Sequence, residues 1–227
     1  MCVSEEGQQK NRYIYVVLSQ TGSVVAKTLK KLTHAEYNHV SVSLSVSLRP
    51  MYSFARKYPR NPLIGAYVRE YPNEGTLSWF KATEVKVLEL PVTERQFAAV
   101  QERLETMYEE RDRYHYNYRG LFGAFFGKVR HREGYYYCSE FVRDLLEDCG
   151  IVERGSIGLQ GKYSGVVQPV DFLKIPEAKC IYTGSLNVYA GLPKNRSLLS
   201  FVTEPDGCDG LGAESASVHE DSAVYDR

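Results

Sequence analysis

Two segments of this chain carry side chains able to do covalent chemistry together. Cys138 stands in "YYYCSEF" (135–141), and His39 heads the alternating run "YNHVSVSL" (37–44). A thiol attacks as thiolate, a form favoured by a helix N-terminus and by a neighbouring imidazolium. Cys138 is placed for the first, because Phe141, Val142, Leu145, Leu146 and Cys149 recur on one helical face behind it and Gly150 marks the helix stop. The free N–H groups of such a helix start would also receive the oxyanion of a tetrahedral intermediate. The plainer alternative treats Cys138, on the same face as Phe141, Val142 and Leu145, as a small buried hydrophobe, and His39 as a satisfied strand-end histidine.

Chemistry between the two requires a strand and a helix to meet. "HVSVSLSV" alternates with period two, so Val40, Val42, Leu44 and Val46 share one face and His39, Ser41, Ser43 and Ser45 the other. The serines, small and on the histidine's own face, predict that a helix beds there. Before this run, "YIYVVLS" (13–19) reads as a buried strand and "TGSVVAKTLKKLT" (21–33) as a helix. After it, 49–57 continues as the next strand of a hairpin, with its bend around Leu48–Pro50. Residues 58–80 read as a long excursion beside the sheet, holding a candidate strand at 65–71, and 84–90 is a further alternating strand.

Thr93 and Gln96 then form a capping-box pattern ahead of a helix whose Phe97, Val100, Leu104, Met107 and Tyr108 make one apolar stripe. A short aromatic helix set in loop is expected within 114–128, a turn of helix at 167–174, and one or two strands within 179–189. Together these elements predict an α+β fold, an antiparallel sheet or small barrel packed against the Cys138 helix, with helix 93–113 covering another side.

The bulk numbers narrow the classes. Among the 227 residues Lys+Arg and Asp+Glu each number 28, but residues 203–227 hold the acids Glu204, Asp206, Asp209, Glu214, Glu220, Asp221 and Asp226 against Arg227 alone. Subtracting these leaves 27 basic and 21 acidic residues, spread without a run, so no nucleic-acid face is expected. One main domain over 1–202 and an acidic, disordered tail over 203–227 follow from the composition. No apolar stretch reaches the length of a membrane span or a signal peptide, which points to a cytoplasmic protein. Five cysteines at irregular spacing suit reduced thiols, and without a Cys-x-x-Cys pair structural zinc is not expected. Three separated histidines, His34, His115 and His131, make no metal site, and "GLFGAFFG" (120–127) lacks the Lys-Ser/Thr ending of a phosphate loop. No cofactor is called for.

The joint pattern resembles the circularly permuted branch of the NlpC/P60 superfamily of papain-like cysteine hydrolases. In that branch the histidine strand comes first and the cysteine helix later, as "YNHVSVSL" precedes "YYCSEFV" (136–142) here, with "MYSF" (51–54) and "YNYRGLFG" (116–123) between. The resemblance spans about residues 12–175 and implies a papain-like fold. It implies Cys138 as nucleophile and His39 as general base. It also implies an orienting polar residue on the following strand, at Ser53, where the family usually has His, Asn, Gln or an acid. Tyr118, ahead of Tyr116, matches the tyrosine that the family sets near the oxyanion. The function so implied is cleavage of an amide or isopeptide bond, possibly of the peptidoglycan type, through an acyl-enzyme. Two alternatives stand beside it: an acyltransferase or thioesterase like the lecithin:retinol acyltransferase branch, and a catalytically idle papain-like module that binds peptides or proteins.

Overall fold

The computed structural model describes residues 9–21, 36–58, 61–118, 120, 132–158 and 167–193. The predicted helix at 21–33 beyond Thr21, most of the aromatic segment 114–128 and the acidic tail 203–227 lie outside the described residues.

β1 (Arg12–Gln20) is the apolar run read from the sequence, and its burial on both faces explains why it shows no polar alternation. Ile14, Val16 and Leu18 enter one apolar cluster, and Tyr15 and Val17 enter another on the opposite face. β1 lies between β2 (His39–Ser43) and β5 (Glu84–Val92), antiparallel to both. β3 (Met51–Tyr58) and β4 (Asn61–Glu70) form the adjoining hairpin, so 61–64, read as part of the excursion, belongs to the sheet. The bend before β3 falls where proline was expected to set it: Leu48 has φ 55° and Arg49–Pro50 is a cis peptide.

The short strands β6 (His115–Tyr116) and β7 (Tyr135–Tyr136) and the longer β8 (Lys179–Ser185) complete an eight-stranded sheet in the order β7-β6-β4-β3-β2-β1-β5-β8. Every pairing is antiparallel except β6 with β7, and the sheet is open rather than closed into a barrel. The α+β class therefore holds.

Helix α1 (Gly75–Ser78) crosses the face of the second cluster with Leu77. α2 (Glu94–Glu109) is capped by Thr93, whose side chain accepts from the Gln96 amide while Gln96 reaches back to the Thr93 N–H. Its buried stripe is Phe97, Val100, Leu104 and Met107. α3 (Cys138–Asp148) follows, ending at Cys149 and at Gly150 with φ 65°. α4 (Leu186–Gly191) takes the place of a predicted strand, because Leu186 and Tyr189 recur at helical spacing and bury together against the second cluster.

Two expectations about the layers are corrected. α2 and α3 do not cover different sides: both bury their stripes in the same cluster, on the face of Val40 and Val42. Nor does α3 bed on the serine face of β2. Phe141, Val142 and Leu145 pack with the valines, and Phe141 also meets the rings of Phe54 and Tyr67 at 5.4 and 5.3 Å. The physical reason is that dispersion and burial reward an aliphatic bed, whereas the buried Ser43 needs its hydroxyl satisfied and donates it to the Pro50 carbonyl at 2.8 Å.

Candidate active site

His39 is the first residue of β2, and that end of the strand is open on one side. β2 pairs with β3 only at Val42–Tyr52 and Ser43–Met51, so the ladder to β3 stops short of His39. The start of α3 comes to this opening. Tyr137 is extended and Cys138 begins the helix, anchored by the buried Ser139, whose hydroxyl donates to the Val167 carbonyl at 2.7 Å. The Cys138 sulfur there meets the His39 ring and the backbone N–H groups of Val40 and Ser139.

The other side of the ring is held by a carboxylate. His39 Nε2 lies 3.0 Å from Glu70 Oε2, which leaves Nδ1 for the sulfur. Glu70 is the last residue of β4, two strands away from β2 with β3 between. The small Ser53 of β3 makes the meeting possible. Its hydroxyl donates to the same Glu70 Oε2 at 2.5 Å, so the ring and the carboxylate converge over this fully buried serine. Met51 is paired with Glu70 and Ser53 with Val68, which makes Ser53 and Glu70 diagonal neighbours on one face of the sheet. A larger side chain at 53 would fill the space the carboxylate crosses.

Ser53 does not orient the imidazole directly, which corrects the role that the family resemblance implied for it. The residue touching the ring is Glu70, and Ser53 holds Glu70. Sequence reading passed over Glu70 because the strand 65–71 was legible but its partner and register were not. The available signal was an acid on the face opposite Tyr67 and Arg69 in "AYVREY".

The charges follow from these contacts. Burial disfavours the His39 cation, but the Glu70 carboxylate and the bond to Cys138 outweigh it and raise the ring from its ordinary 6.5 to about 10. Burial likewise opposes ionisation of Cys138, yet the His39 hydrogen bond and charge, with the two amides, bring the thiol below its ordinary range. Glu70 is held below the usual carboxylate range against its burial, by His39 and by the Ser53 hydroxyl. All three shifts favour the charged forms of the thiol, the ring and the carboxyl.

Of the two tyrosines, Tyr116 is the one that feels the Cys138 charge, and its strand partner Tyr136 stands two residues before Cys138. The Tyr116 hydroxyl is pushed well above 10, first by burial and then by the charge of Cys138, so it stays a neutral O–H donor. Tyr118 packs against it at a tilt of 36°, ring centroids 4.5 Å apart, and is raised by burial without a contribution from Cys138. The resemblance preferred Tyr118, whereas the electrostatic link to Cys138 falls on Tyr116. Tyr116 reaches this place because Gly65 lies under it: a Cβ there would come within 2.7 Å of the Tyr116 Cβ.

Among the described residues no group of three or more His, Cys, Asp or Glu side chains is placed to hold a metal ion, and no helix is long and apolar enough to cross a membrane. Comparison of the chain with protein-family models, with curated proteins and with solved structures finds no match.

Proposed function

We propose that the protein is a thiol hydrolase that cleaves an amide or isopeptide bond through a Cys138 acyl-enzyme, built on the papain-like plan of the permuted NlpC/P60 group. The observation that carries the reading is the His39 ring held between the Cys138 sulfur and the Glu70 carboxylate. In the first step the thiolate attacks the carbonyl carbon, and the oxyanion that forms is stabilised by amide donors at the helix start and by the Tyr116 hydroxyl. Imidazolium Nδ1–H then protonates the leaving amine, which departs as the acyl–sulfur bond is retained. Water, deprotonated by the now neutral His39, attacks the thioester and releases the acid. Glu70 keeps the ring oriented and its cation stable throughout.

An idle binding module drew its support from a serine in the orienting position; Glu70 in contact with the ring removes that support. The substrate is expected to be a peptide or other amide. The test is trapping: the protein is mixed with an activated ester such as p-nitrophenyl acetate and intact mass is read. The expected result is a burst of nitrophenol and one acetyl group on Cys138, absent from Cys138→Ala. Equal acylation of every cysteine, or none on Cys138, would overturn the reading.

A further inference from the structure

We propose that Arg56, with Tyr116 and Tyr118, forms an anion-recognising subsite beside Cys138, so that the substrate carries a carboxylate or similar anionic group next to the bond that is cut. This rests on the hydrolase reading and names the substrate class of that site. Arg56 pairs across the β3–β4 hairpin with Gly65, the residue whose missing Cβ makes room for Tyr116. Residues paired in an antiparallel ladder project to the same face, so the Arg56 side chain leaves the sheet beside the Tyr116 ring. Tyr118 lies against that ring at 4.5 Å, and the Arg56 guanidinium is steadied over Phe80, 5.3 Å from its centroid.

Electrostatics trace the same path. Tyr116 is raised by burial and by the charge of Cys138 and is lowered by Arg56; Tyr118 is raised by burial and lowered by Arg56. The Arg56 charge is therefore felt at Tyr116 and Tyr118, without itself belonging to the Cys138–His39–Glu70 line.

Charge balance explains why a cation is useful at that spot. In the charged forms that their surroundings favour, thiol, ring and carboxyl leave the catalytic line with one net negative charge, which repels an anionic substrate unless a fixed cation offsets it. Arginine suits the task, because its planar fork of donors matches a carboxylate.

The experiment uses two small alkylating reagents of equal shape and reach. Iodoacetate carries a carboxylate and iodoacetamide does not; each gives its carbon to the sulfur and releases iodide. Rates at Cys138 are followed by intact mass and peptide mapping on the full chain, for wild type, Arg56→Gln and Arg56→Lys. Arg56→Gln is expected to lower the iodoacetate-to-iodoacetamide rate ratio about tenfold, the scale of one charge-assisted hydrogen bond, and Arg56→Lys to recover part of it. An unchanged ratio in a folded Arg56→Gln protein overturns the subsite and leaves the nucleophile assignment standing. Wild-type Cys138 reacting no faster than a free thiol with either reagent would overturn the thiolate itself, and the subsite with it.

Discussion

The two ends of helix α3 carry the same side chain in opposite states. Cys138, at the first residue, is buried, yet its thiol is brought below the ordinary range by His39 and by the amides of Val40 and Ser139. Cys149, at the C-terminal cap, is more accessible, and its thiol is raised by burial and by the neighbouring Asp148. Exposure would rank them the wrong way round. Acidity follows what surrounds the sulfur: free N–H groups and a cation at one end, burial and the Asp148 carboxylate outweighing Arg103 at the other, with the helix dipole reinforcing both. A single helix thus carries one thiol favoured as thiolate and one disfavoured, and the difference is set by the groups that surround each sulfur.

The most complete way to break the comparison is to remove the reactive end. Cys138→Ala is expected to abolish turnover and acylation altogether while Cys149→Ala leaves both near wild type, as read by the ester burst and intact mass. Short of mutation, alkylation near pH 6 should label Cys138 on the order of a hundred times faster than Cys149, since the surroundings favour the thiolate at one and disfavour it at the other. Comparable labelling at that pH would erase the distinction between the two ends.

Glu70→Gln sharpens the cause. Without the carboxylate the imidazolium loses its main support, so the pH at which Cys138 becomes reactive should move upward, with a loss of about 10- to 100-fold in alkylation rate near pH 6. An unshifted pH profile would mean that the amides alone make the thiolate. The same variant reports on stability. His39, raised to about 10, adds stability that is full below its ordinary 6.5 and vanishes as pH climbs through about 10. Glu70, held low, adds stability above its ordinary 4.5 that is lost on acidification through its depressed value. The gap in unfolding midpoint between wild type and Glu70→Gln should accordingly be widest between roughly pH 4.5 and 6.5, shrink steadily as pH climbs toward about 10, and shrink again on acidification through the depressed Glu70 value.

Gly65→Ala tests the oxyanion donor apart from the thiolate. The new methyl displaces the Tyr116 ring, so turnover should fall about tenfold or more, while alkylation of Cys138 at low pH persists. The smallest effect is expected at Ser53. Ser53→Ala keeps the space and removes one hydrogen bond to Glu70, costing about 1–3 kcal/mol in denaturant unfolding. Ser53→Val also blocks the carboxylate's path, and should shift the pH profile as Glu70→Gln does.

Much of the frame was legible before any coordinates. β1 and β5 announced themselves by apolar and alternating runs, α2 by its capping box and stripe, and α3 by the spacing from Cys138 to Gly150, because all of these signals lie within a few residues of one another. The parts that misread did so through distance. "LNVYAG" (186–191) has strand-like composition and folds as a helix because of what Leu186 and Tyr189 pack against. The serine face of β2 looked like the bed for α3, which packs on the valine face instead, since alternation defines two faces without saying which helix will cover each.

The chain alone determined that a histidine heads a strand and that a cysteine opens a helix, since local spacing and hydrophobic period are written residue by residue. Tertiary structure decided that these two meet, that Glu70 rather than Ser53 touches the ring, and that Gly65 seats Tyr116 where it feels the Cys138 charge. Those outcomes depend on strand order and on the register of β3 with β4. Register is a relation between segments, selected by the total burial of both sheet faces, and no single segment records it.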